Sequence, residues 1–422
     1  MKRVAIVTLG CKTNQAESAA ILGGLESRSY LSVDFNEPAD LYIINTCTVT
    51  NRTDYKSRYY IRKALEQKKL RTDVKIVVTG CYSQRSREEV MSLGDVDLVI
   101  DNQTKLDIPK LLDGAEHSFM DIMQATDFHY VPQQGMGERS RAFQKIQDGC
   151  DYYCTYCAVP YARGHIRSAK LSDVIAQAKL FTQNGYREIV LGGVNLGLYR
   201  DGDHDLRHVI RELNSISELE IIRLSSLEPQ LFSAELLKVI AASEKVAPHF
   251  HIALQSGSNS VLKRMKRVYQ TERIHDLLAQ IHAVIPHAAI GFDVIAGFPG
   301  ETEMEFNETV DFLESLNICY LHVFSYSKRK GTPAATMPGQ LDNHTKQSRA
   351  NILIDLAEKK KEHYMRQLIK DKVLLRGIVE HSESGFSTFL SDHYIRAYSS
   401  QIHPQGELIS IIPTTHHQDG VI

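Results

Sequence analysis

At 422 residues the chain is too long for one ordinary hydrophobic core, so its length predicts two or three domains. A content of 43% hydrophobic and 24% charged residues is typical of a soluble globular protein, and a net charge of −2 excludes nucleic-acid binding through overall positive charge. No apolar run reaches the roughly 18 residues of a membrane span, and the start is too polar for a secretory signal. We therefore expect a cytoplasmic protein whose seven cysteines are metal ligands or catalytic groups.

The first hundred residues alternate between short apolar segments and polar helical segments. The apolar segments are rich in Val and Ile and read RVAIVTLG, DLYIINTC, VKIVVTGC and VDLVIDN. Polar stretches such as QAESAAILGGLESR and DYKSRYYIRKALEQKKL lie between them. This alternation is typical of a parallel sheet with helices on both faces, so a doubly wound α/β domain is predicted over residues 1–115.

A second alternation begins at residue 142, after a polar segment over 129–141 that is typical of a linker. Its strand candidates are AFQKIQDG, REIVLGGVN, EIIRLSS, HFHIALQS, AIGFDVIAG and YLHVFSYS, each followed by helix-compatible sequence. Six β/α units in about 200 residues favour a partial (β/α)6 barrel, which we assign to residues 136–367. After a long polar helix, the strand candidates VLLRGIVEHS, GFSTFLS, YIRAYSS and ELISIIP predict a small antiparallel β-barrel over 368–422.

Three cysteines, Cys150, Cys154 and Cys157, crowd into eight positions after the first barrel strand. Independent burial of three apolar cysteines explains this spacing poorly. A closed zinc site requires four ligands, and the nearest further candidate is His165. A cubane iron–sulfur cluster on three thiolates keeps one iron open for a small molecule, and the pattern of these barrel cysteines favours such a cluster.

A second set, the amino-terminal cysteines Cys11, Cys47 and Cys81, ends three predicted strands, in TLGC, INTC and VTGC. Because the carboxyl ends of parallel strands line one edge of a sheet, the three thiols are expected to converge there. Three thiolates again suggest a cubane cluster rather than zinc. The seventh cysteine, Cys319, begins the sixth barrel strand and is expected to be a core residue.

The CxxxCxYC pattern over 150–157 resembles the radical S-adenosylmethionine superfamily. With the amino-terminal cysteines, and a carboxyl-terminal segment that matches the RNA-binding TRAM domain in position, the whole chain resembles the methylthiotransferases. Three stretches are most similar to the branch that acts on N6-threonylcarbamoyladenosine in tRNA: INTCTVTNRTDYKSR, VVTGCYSQR and KIQDGCDYYCTYCAVPYARG. The residues TVTN after Cys47 are the main evidence for that branch.

The resemblance implies S-adenosyl-L-methionine and two [4Fe-4S] clusters as cofactors. The barrel cysteines would hold the cluster that cleaves the cofactor, and the amino-terminal cysteines an auxiliary cluster that carries the sulfur. Tyr156 would lie near the adenine of the cofactor, and Gly192 and Gly193 would offer backbone groups to its methionine end. Strand ends at the same mouth would add Ser226, Gln255, Asp293 and Gly297. No side chain is assigned as a general acid or base, because an aromatic C2–H is neither acidic nor a leaving group.

The implied reaction adds a methylthio group to C2 of N6-threonylcarbamoyladenosine at position 37 of tRNA. A base of the single-stranded anticodon loop is easily splayed out, which suits such an enzyme. The resemblance also implies an electron donor of the flavodoxin or ferredoxin type, whereas the sequence does not indicate the sulfur donor. No membrane partner is expected.

Two neighbouring activities use the same clusters, namely methylthiolation of isopentenyladenosine in tRNA and of an aspartate in a ribosomal protein. The cysteine positions do not separate these activities. From another class, a non-catalytic RNA-binding protein with structural zinc predicts colourless protein that does not respond to S-adenosylmethionine. An iron–sulfur electron carrier would need far less scaffold than a β/α barrel.

Candidate phosphate contacts are the basic runs over 56–71, 263–267 and 328–330, although such runs are usually solvated helix faces. Arg163 and Arg167, near strand ends, are expected to be better placed. The carboxyl-terminal segment carries more acidic than basic residues. RNA contact there would be local, around Arg376 and Arg396, or recognition would fall mostly on the first two domains.

Overall fold

The computed structural model describes residues 1–137 and 139–422, so Glu138 of the predicted linker lies outside the described residues. Five parallel strands form the amino-terminal sheet: β1 (Lys2–Thr8), β2 (Tyr30–Val33), β3 (Leu41–Thr46), β4 (Lys75–Gly80) and β5 (Leu98–Val99). The helices are α1 (Lys12–Glu26), α2 (Asn51–Leu70), α3 (Cys81–Arg85), α4 (Arg87–Met91) and α5 (Ile108–Leu112). The strand order β2-β1-β3-β4-β5 reverses direction between β1 and β3, which places a crevice at the ends of those strands.

Local sequence accounts for the elements that frame this crevice. All six residues of β3 are buried, as expected for a central strand covered on both faces. Helix α2 begins at a capping box, in which the Thr50 hydroxyl accepts from the Thr53 amide and the Thr53 hydroxyl accepts from the Thr50 amide. The sequence does not predict the edge strand β2, because its four residues are exposed or half-buried and carry little apolar pattern.

The second segment contains the barrel. Its strands are β6 (Ala142–Lys145), β7 (Gln147–Asp148), β8 (Arg167–Ser168), β9 (Glu188–Gly192), β10 (Arg200–Asp201), β11 (His204–Asp205), β12 (Ile221–Leu224), β13 (His249–Gln255), β14 (Ala289–Ala296) and β15 (Tyr320–Ser325). Its helices are α6 (Val159–Arg163), α7 (Leu171–Gln183), α8 (Leu206–Asn214), α9 (Ala234–Ala241), α10 (Asn259–Arg264), α11 (Thr271–Val284), α12 (Glu303–Ser315) and α13 (Asn343–Lys370).

Six parallel strands of this segment form one open arc. Strands β6, β9 and β12 pair in that order, as do β13, β14 and β15, and the bridges Ile222–Val246 and Leu227–Ile252 join the two sheets. The free edges of the arc are therefore β6 and β15. Helix α1 packs on β6 and adds Ala16 to the barrel core, and α13 packs on β15. The amino-terminal segment thus lies against one edge of the barrel.

The carboxyl-terminal strands are β16 (Leu375–Glu383), β17 (Phe386–Leu390), β18 (Arg396–Ser399), β19 (Leu408–Ile411), β20 (His416–His417) and β21 (Gly420–Val421). They pair in the order β19-β16-β17-β18-β21-β20, antiparallel except for β18 and β21. Their core includes Phe389 and packs on Leu368 of α13 and on Cys319, which is a core residue as expected. The predicted α/β class, with a doubly wound sheet, a six-stranded partial barrel and a small, largely antiparallel carboxyl-terminal sheet, is confirmed. Within the described residues, no helix has the length and apolar content that a membrane span requires.

Candidate cluster and cofactor site

The amino-terminal cysteines follow three neighbouring strands of the sheet. Cys11 follows β1 and precedes α1, Cys47 follows β3, and Cys81 follows β4 as the first residue of α3. Cys47 and Cys81 are 4% and 8% exposed, and Cys11 is open to solvent. Burial, followed by repulsion from the nearby Cys81 and Cys11 thiols, raises the pKa of Cys47 to about 12. A thiol whose ionised form is disfavoured by burial and by neighbouring thiols, as that of Cys47 is, is suited to a positively charged metal centre.

Two glycines and one asparagine bring the cysteine loops together. Gly10 has a φ of +94°, and a Cβ there would stand 2.7 Å from Cys47 Sγ. Gly80 has a φ of +99°, and a Cβ there would stand 2.3 Å from the Thr46 carbonyl oxygen. The Asn14 amide donates to the carbonyl oxygens of Leu9, at 2.7 Å, and Thr46, at 3.0 Å. The close approach of these loops therefore depends on residues beside the cysteines as well as on the strand ends.

The barrel cysteines lie on the loop between β7 and α6. Burial is the main cause that raises the pKa of Cys150 to about 11 and that of Cys157 to about 12, and the Cys154 thiol adds to both shifts. Arg267 Nη1 lies 3.2 Å from Cys154 Sγ. The set therefore combines three mutually close thiols with one hydrogen-bond donor, which is the donor set expected around an iron–sulfur cluster.

One cavity of about 310 Å³ lies beside the barrel cysteines and the loop that follows Cys47. The barrel cysteines line it directly, and Val49 and Thr50, which follow Cys47, line it from the amino-terminal segment. Further lining residues come from the ends of barrel strands, as expected for a barrel active site. The fold thus places both sets at the mouth of the barrel, although they belong to different sheets.

Four of the predicted cofactor residues line this cavity: Tyr156, Ser226, Gln255 and Asp293. The other three predicted residues are glycines, and each either ends a strand or has a structural reason to be glycine. Gly192 is the last residue of β9, and a Cβ on Gly193 would stand 2.9 Å from the Gln147 side chain. Gly297 has a φ of +74° and donates its amide to Glu301 at 2.8 Å. The assignment of these three glycines to the cofactor stays a prediction.

Asn195 is a lining residue that the sequence does not single out, although it lies in the strand candidate REIVLGGVN. Its side chain is buried, and neither amide atom has a hydrogen-bond partner within the described part of the chain. Its backbone amide donates to Gln147 Oε1 at 2.7 Å, which fixes the loop. A buried amide without partners costs free energy, so this side chain fits a polar ligand in the cavity. The sequence offers no signal for it beyond its place after a strand.

Arg267 and Glu228 form a second feature that the sequence did not indicate. Arg267 pairs with Glu228 and donates to the Ala253 carbonyl oxygen at 2.9 Å. Burial raises the pKa of Glu228, and attraction to Arg267 opposes that rise. The prediction that the 263–267 run contacts phosphate is therefore wrong for Arg267, because its charge is turned into the cavity, whereas Lys263 and Lys266 remain exposed.

Asp293 is held by two histidines. His251 Nε2 lies 2.9 Å from one carboxylate oxygen and His322 Nδ1 lies 3.5 Å from the other. Burial favours the neutral acid, but hydrogen bonds from His251 and His322 outweigh it and lower the pKa of Asp293 to about 2. His251 in turn shares the Tyr320 hydroxyl, at 2.8 Å, with His249. An ionised, oriented carboxylate therefore faces the cavity.

A buried ion network joins the amino-terminal segment to the barrel. Arg163 Nη1 lies 2.8 Å from Glu17 and 3.0 Å from Asp148, and its Nη2 donates to Asn14 at 2.6 Å. Lys105 also pairs with Glu17. Arg163 and Arg167 are only 2% and 5% exposed, so the prediction that they contact phosphate is wrong. Their charges are compensated inside the protein, where no phosphate reaches.

Of the three basic residues over 328–330, one is buried and two are exposed. Arg329 is buried, lies 2.6 Å from Asp54 of α2, and donates to the Thr48 carbonyl oxygen at 3.1 Å. Ser327 accepts a hydrogen bond from the Asn51 amide at 2.9 Å. The prediction of phosphate contact is therefore wrong for Arg329, which instead fixes the start of α2 at the barrel mouth. Lys328 and Lys330 stay exposed.

Two known families match the two parts of the chain that carry the cysteine sets, namely the amino-terminal sheet and the barrel. Residues 3–101 match the family described as uncharacterized protein family UPF0004, and residues 145–313 match the radical SAM superfamily. The chain is 41% identical to the threonylcarbamoyladenosine tRNA methylthiotransferase MtaB of Bacillus subtilis (strain 168), over 87% of this chain and 83% of that protein. It is 37% identical to the protein of the same name from Aquifex aeolicus (strain VF5), over 97% and 100%.

A relative with another printed substrate also aligns along the whole chain. The tRNA-2-methylthio-N(6)-dimethylallyladenosine synthase of Natranaerobius thermophilus is 30% identical over 99% of this chain and 95% of that protein. Among solved structures, the radical S-adenosylmethionine methyltransferase TsrM from Kitasatospora setae has a similar fold, with a TM-score of 0.62 at 13% identity over 79% and 77% of the two chains. The radical SAM match implies that this chain uses S-adenosylmethionine and a [4Fe-4S] cluster. Cysteine geometry, domain matches and full-length relatives agree, and the chain belongs to the methylthiotransferase family of radical S-adenosylmethionine enzymes.

Proposed function

We propose that this enzyme converts N6-threonylcarbamoyladenosine at position 37 of tRNA to its 2-methylthio derivative. The observation that carries the proposal is the single cavity bounded by the barrel cysteines on one side and by the Cys47 loop on the other. In this proposal each cysteine set holds one [4Fe-4S] cluster and leaves one iron open. The proposal also assigns three domains: residues 1–115 to the auxiliary cluster, residues 136–367 to the radical S-adenosylmethionine barrel and residues 368–422 to the small carboxyl-terminal domain.

Observations on the chain's own residues support the fit of these cofactors. The Cys81 and Cys11 thiols contribute to the raised pKa of Cys47, and the Cys154 thiol contributes to those of Cys150 and Cys157, so the thiols of each set lie close enough to interact. The unpartnered Asn195 amide and the oriented Asp293 carboxylate face the cavity and can bind polar groups of S-adenosylmethionine. Tyr156, Ser226 and Gln255 line the same space. In this proposal Gly192, Gly193 and Gly297 contact the cofactor only through their backbone.

When bound, S-adenosylmethionine on a reduced cluster supplies the radical chemistry that an unactivated aromatic C–H bond requires. The residues of the chain bind and orient the cofactor and the target base, and they exclude water from the cavity. Phe324 lines the cavity with 41% of its surface exposed, so it offers a flat apolar face to a splayed-out base. The electron donor is in this proposal a flavodoxin- or ferredoxin-type protein, and the sulfur donor is left open.

The substrate choice is supported by the relatives. Three relatives at 37–41% identity carry threonylcarbamoyladenosine in their names, whereas relatives named for dimethylallyladenosine lie at 30–35%. Both groups act on an adenine of tRNA, so the site chemistry is the same and only the contacts to the N6 substituent differ. The sequence TVTN that follows Cys47 lies beside the cavity through Val49 and Thr50, where it can contact that substituent.

The test is anaerobic reconstitution followed by nucleoside mass spectrometry. Iron and sulfide are counted, and the enzyme is incubated with reductant, S-adenosylmethionine and either tRNA bearing N6-threonylcarbamoyladenosine or tRNA bearing isopentenyladenosine. We expect about eight irons per chain, as two cubanes require, and a methylthio product from the first tRNA only. A product from the second tRNA alone would show that the proposed substrate is wrong. About four irons with full activity would overturn the second cluster.

A further inference from the structure

Helix α2 starts at the rim of the cavity. Thr50 lines the cavity and caps the helix, which runs from Asn51 to Leu70 away from the site. Arg329 and Ser327 of the barrel fix its first turn through Asp54 and Asn51. A helix rises about 1.5 Å per residue, so positions 52–59 lie within about 14 Å of Thr50 along the axis. A nucleic acid whose target base enters the cavity passes this part of the helix.

Four residues of these first turns share one exposed face, which we call the α2 stripe: Arg52, Tyr55, Lys56 and Tyr59. Their spacing places them within an arc of about 100°. Tyr55 is 62% exposed and Tyr59 is 50% exposed, whereas the opposite face buries Ser57 and Ile61. Two large rings are thus held in water on one face, and such exposed apolar groups mark interaction sites.

The charge of the stripe is not compensated. Among the described residues, no carboxylate lies within ion-pair distance of Arg52 or Lys56. The one acidic residue in the first three turns of α2 is Asp54, which is buried against Arg329. The other exposed lysines near the cavity, at 263, 266, 328 and 330, have no exposed tyrosine beside them in the sequence. The stripe therefore combines free positive charge with exposed aromatic rings.

One of the two rings, that of Tyr59, is also held in place by neighbouring rings. Tyr59 contacts Tyr60 edge-on at 5.2 Å, and Tyr60 contacts the buried Phe35 at 5.4 Å. A ring that is fixed by its neighbours loses little conformational freedom on binding. Aromatic rings that stack on bases, next to basic groups that contact phosphates, are the means by which proteins bind single-stranded RNA.

The carboxyl-terminal sheet does not offer the same chemistry. Its two arginines, Arg376 and Arg396, lie 3.3 Å from Asp392 and Asp419. Both charges are therefore already paired in the free protein, which favours the second of the two alternatives, recognition mostly by the first two domains, over a local contact at these arginines.

We propose that the α2 stripe binds the unpaired anticodon-loop nucleotides that flank the target adenine, with Tyr55 and Tyr59 stacked on bases and Arg52 and Lys56 on phosphates. This inference rests on the proposed tRNA substrate and names the surface that receives it. Stacking gives affinity without base identity, so the stripe recognises an unpaired loop rather than a sequence.

The experiment measures the Kd of the reconstituted enzyme for an anticodon stem-loop RNA bearing N6-threonylcarbamoyladenosine, across a series of salt concentrations. Tyr55→Ala and Tyr59→Ala are each expected to weaken binding by about 5- to 150-fold, since stacking contributes about 1–3 kcal/mol per base, and to leave the salt dependence unchanged. The double variant Arg52→Gln/Lys56→Gln is expected to reduce the slope of log K against log salt by about 1.4. Tyr55→Phe and Tyr59→Phe keep the ring and are expected to bind like wild type.

Lys69→Glu, at the far end of the same helix, is the matched control and is expected to bind like wild type. Iron content and melting temperature verify that each variant is folded, and Tyr→Leu replaces any Tyr→Ala variant that is not. If wild type binds and modifies the RNA while the stripe variants bind equally well, the stripe inference is wrong and the proposed function stands. If wild type neither binds nor modifies this RNA, the proposed function is wrong, and the stripe inference that rests on it falls as well. Equal loss of binding in Lys69→Glu and in Arg52→Gln/Lys56→Gln would show a general charge effect and overturn the stripe inference.

Discussion

Gly10 lies directly against Cys47, so that a Cβ on Gly10 would stand 2.7 Å from both Cβ and Sγ of that cysteine. The substitution Gly10→Ala therefore moves Cys47, and we expect iron to fall from about eight to about four per chain. The control is Gly114→Ala, because Gly114 has a similar φ of +99° but no atom within 4 Å of its added Cβ. It carries the same backbone strain of about 1 kcal/mol or more and should keep all its iron. Equal iron loss in both variants would attribute the effect to strain rather than to contact.

The two cysteine sets should be separable by mutation. Cys154→Ala is expected to abolish cleavage of S-adenosylmethionine while the amino-terminal cluster still assembles. Cys47→Ala should still form 5′-deoxyadenosine but attach no methylthio group. Each variant should retain about four irons. Retained cofactor cleavage in Cys154→Ala, or full product from Cys47→Ala, contradicts the assignment of that set.

The strand ends and both cysteine sets could be predicted because they depend on local sequence. Apolar runs predict β1, β3 and β4, and a cysteine placed after each of them must reach the same sheet edge. The CxxxCxYC spacing over 150–157 likewise lies within one loop. By contrast, the edge strand β2 has no apolar pattern and could not be predicted in this way.

The arginines that pair near the two cysteine sets could not be predicted, since their roles depend on contacts between distant parts of the chain. Arg163 meets Glu17 across 146 positions, and Arg267 meets Cys154 across 113. A basic residue near a strand end is equally compatible with phosphate contact and with an internal ion pair. Only the packing of α1 against β6 decides between them, because it removes Arg163 from solvent.

Arg163 should therefore matter for stability. Arg163→Met leaves the buried carboxylates of Glu17 and Asp148 with fewer partners, and we expect a loss of about 3–5 kcal/mol in the free energy of unfolding. Arg28→Met is the control, because its pair with Asp113 is exposed and contributes about 0–1 kcal/mol. Thermal and urea unfolding measure both variants. Similar small effects in the two would contradict a structural role for the buried network.

His249 should make stability depend on pH near neutrality. Burial, with repulsion from Arg223 and Lys12, lowers the pKa of His249 well below its ordinary value, and its ring stacks on Tyr394 at 4.1 Å. The folded state thus keeps it neutral while the unfolded state takes up a proton below about pH 6.5, so stability falls as pH decreases. Relative to His249→Phe, wild type should lose up to about 1.4 kcal/mol per pH unit between pH 6.5 and 5.5. Thermal unfolding across this range tests it, and parallel pH profiles would refute the assignment.

Arg267 should have two separable roles. Its charge stabilises the fold by pairing with the buried Glu228, and its hydrogen bond to Cys154 acts on the barrel cluster. Arg267→Met leaves Glu228 buried without its partner, so we expect a loss of about 3–5 kcal/mol, whereas Arg267→Met/Glu228→Leu removes both charges and should recover most of it. Arg267 also donates to Cys154 Sγ, and hydrogen bonds to cluster sulfurs raise the reduction potential. Both variants should therefore show a more negative midpoint potential, measured by redox titration with electron paramagnetic resonance. Recovery of stability without recovery of the potential separates the two roles, because only the donor to Cys154 remains missing in the double variant.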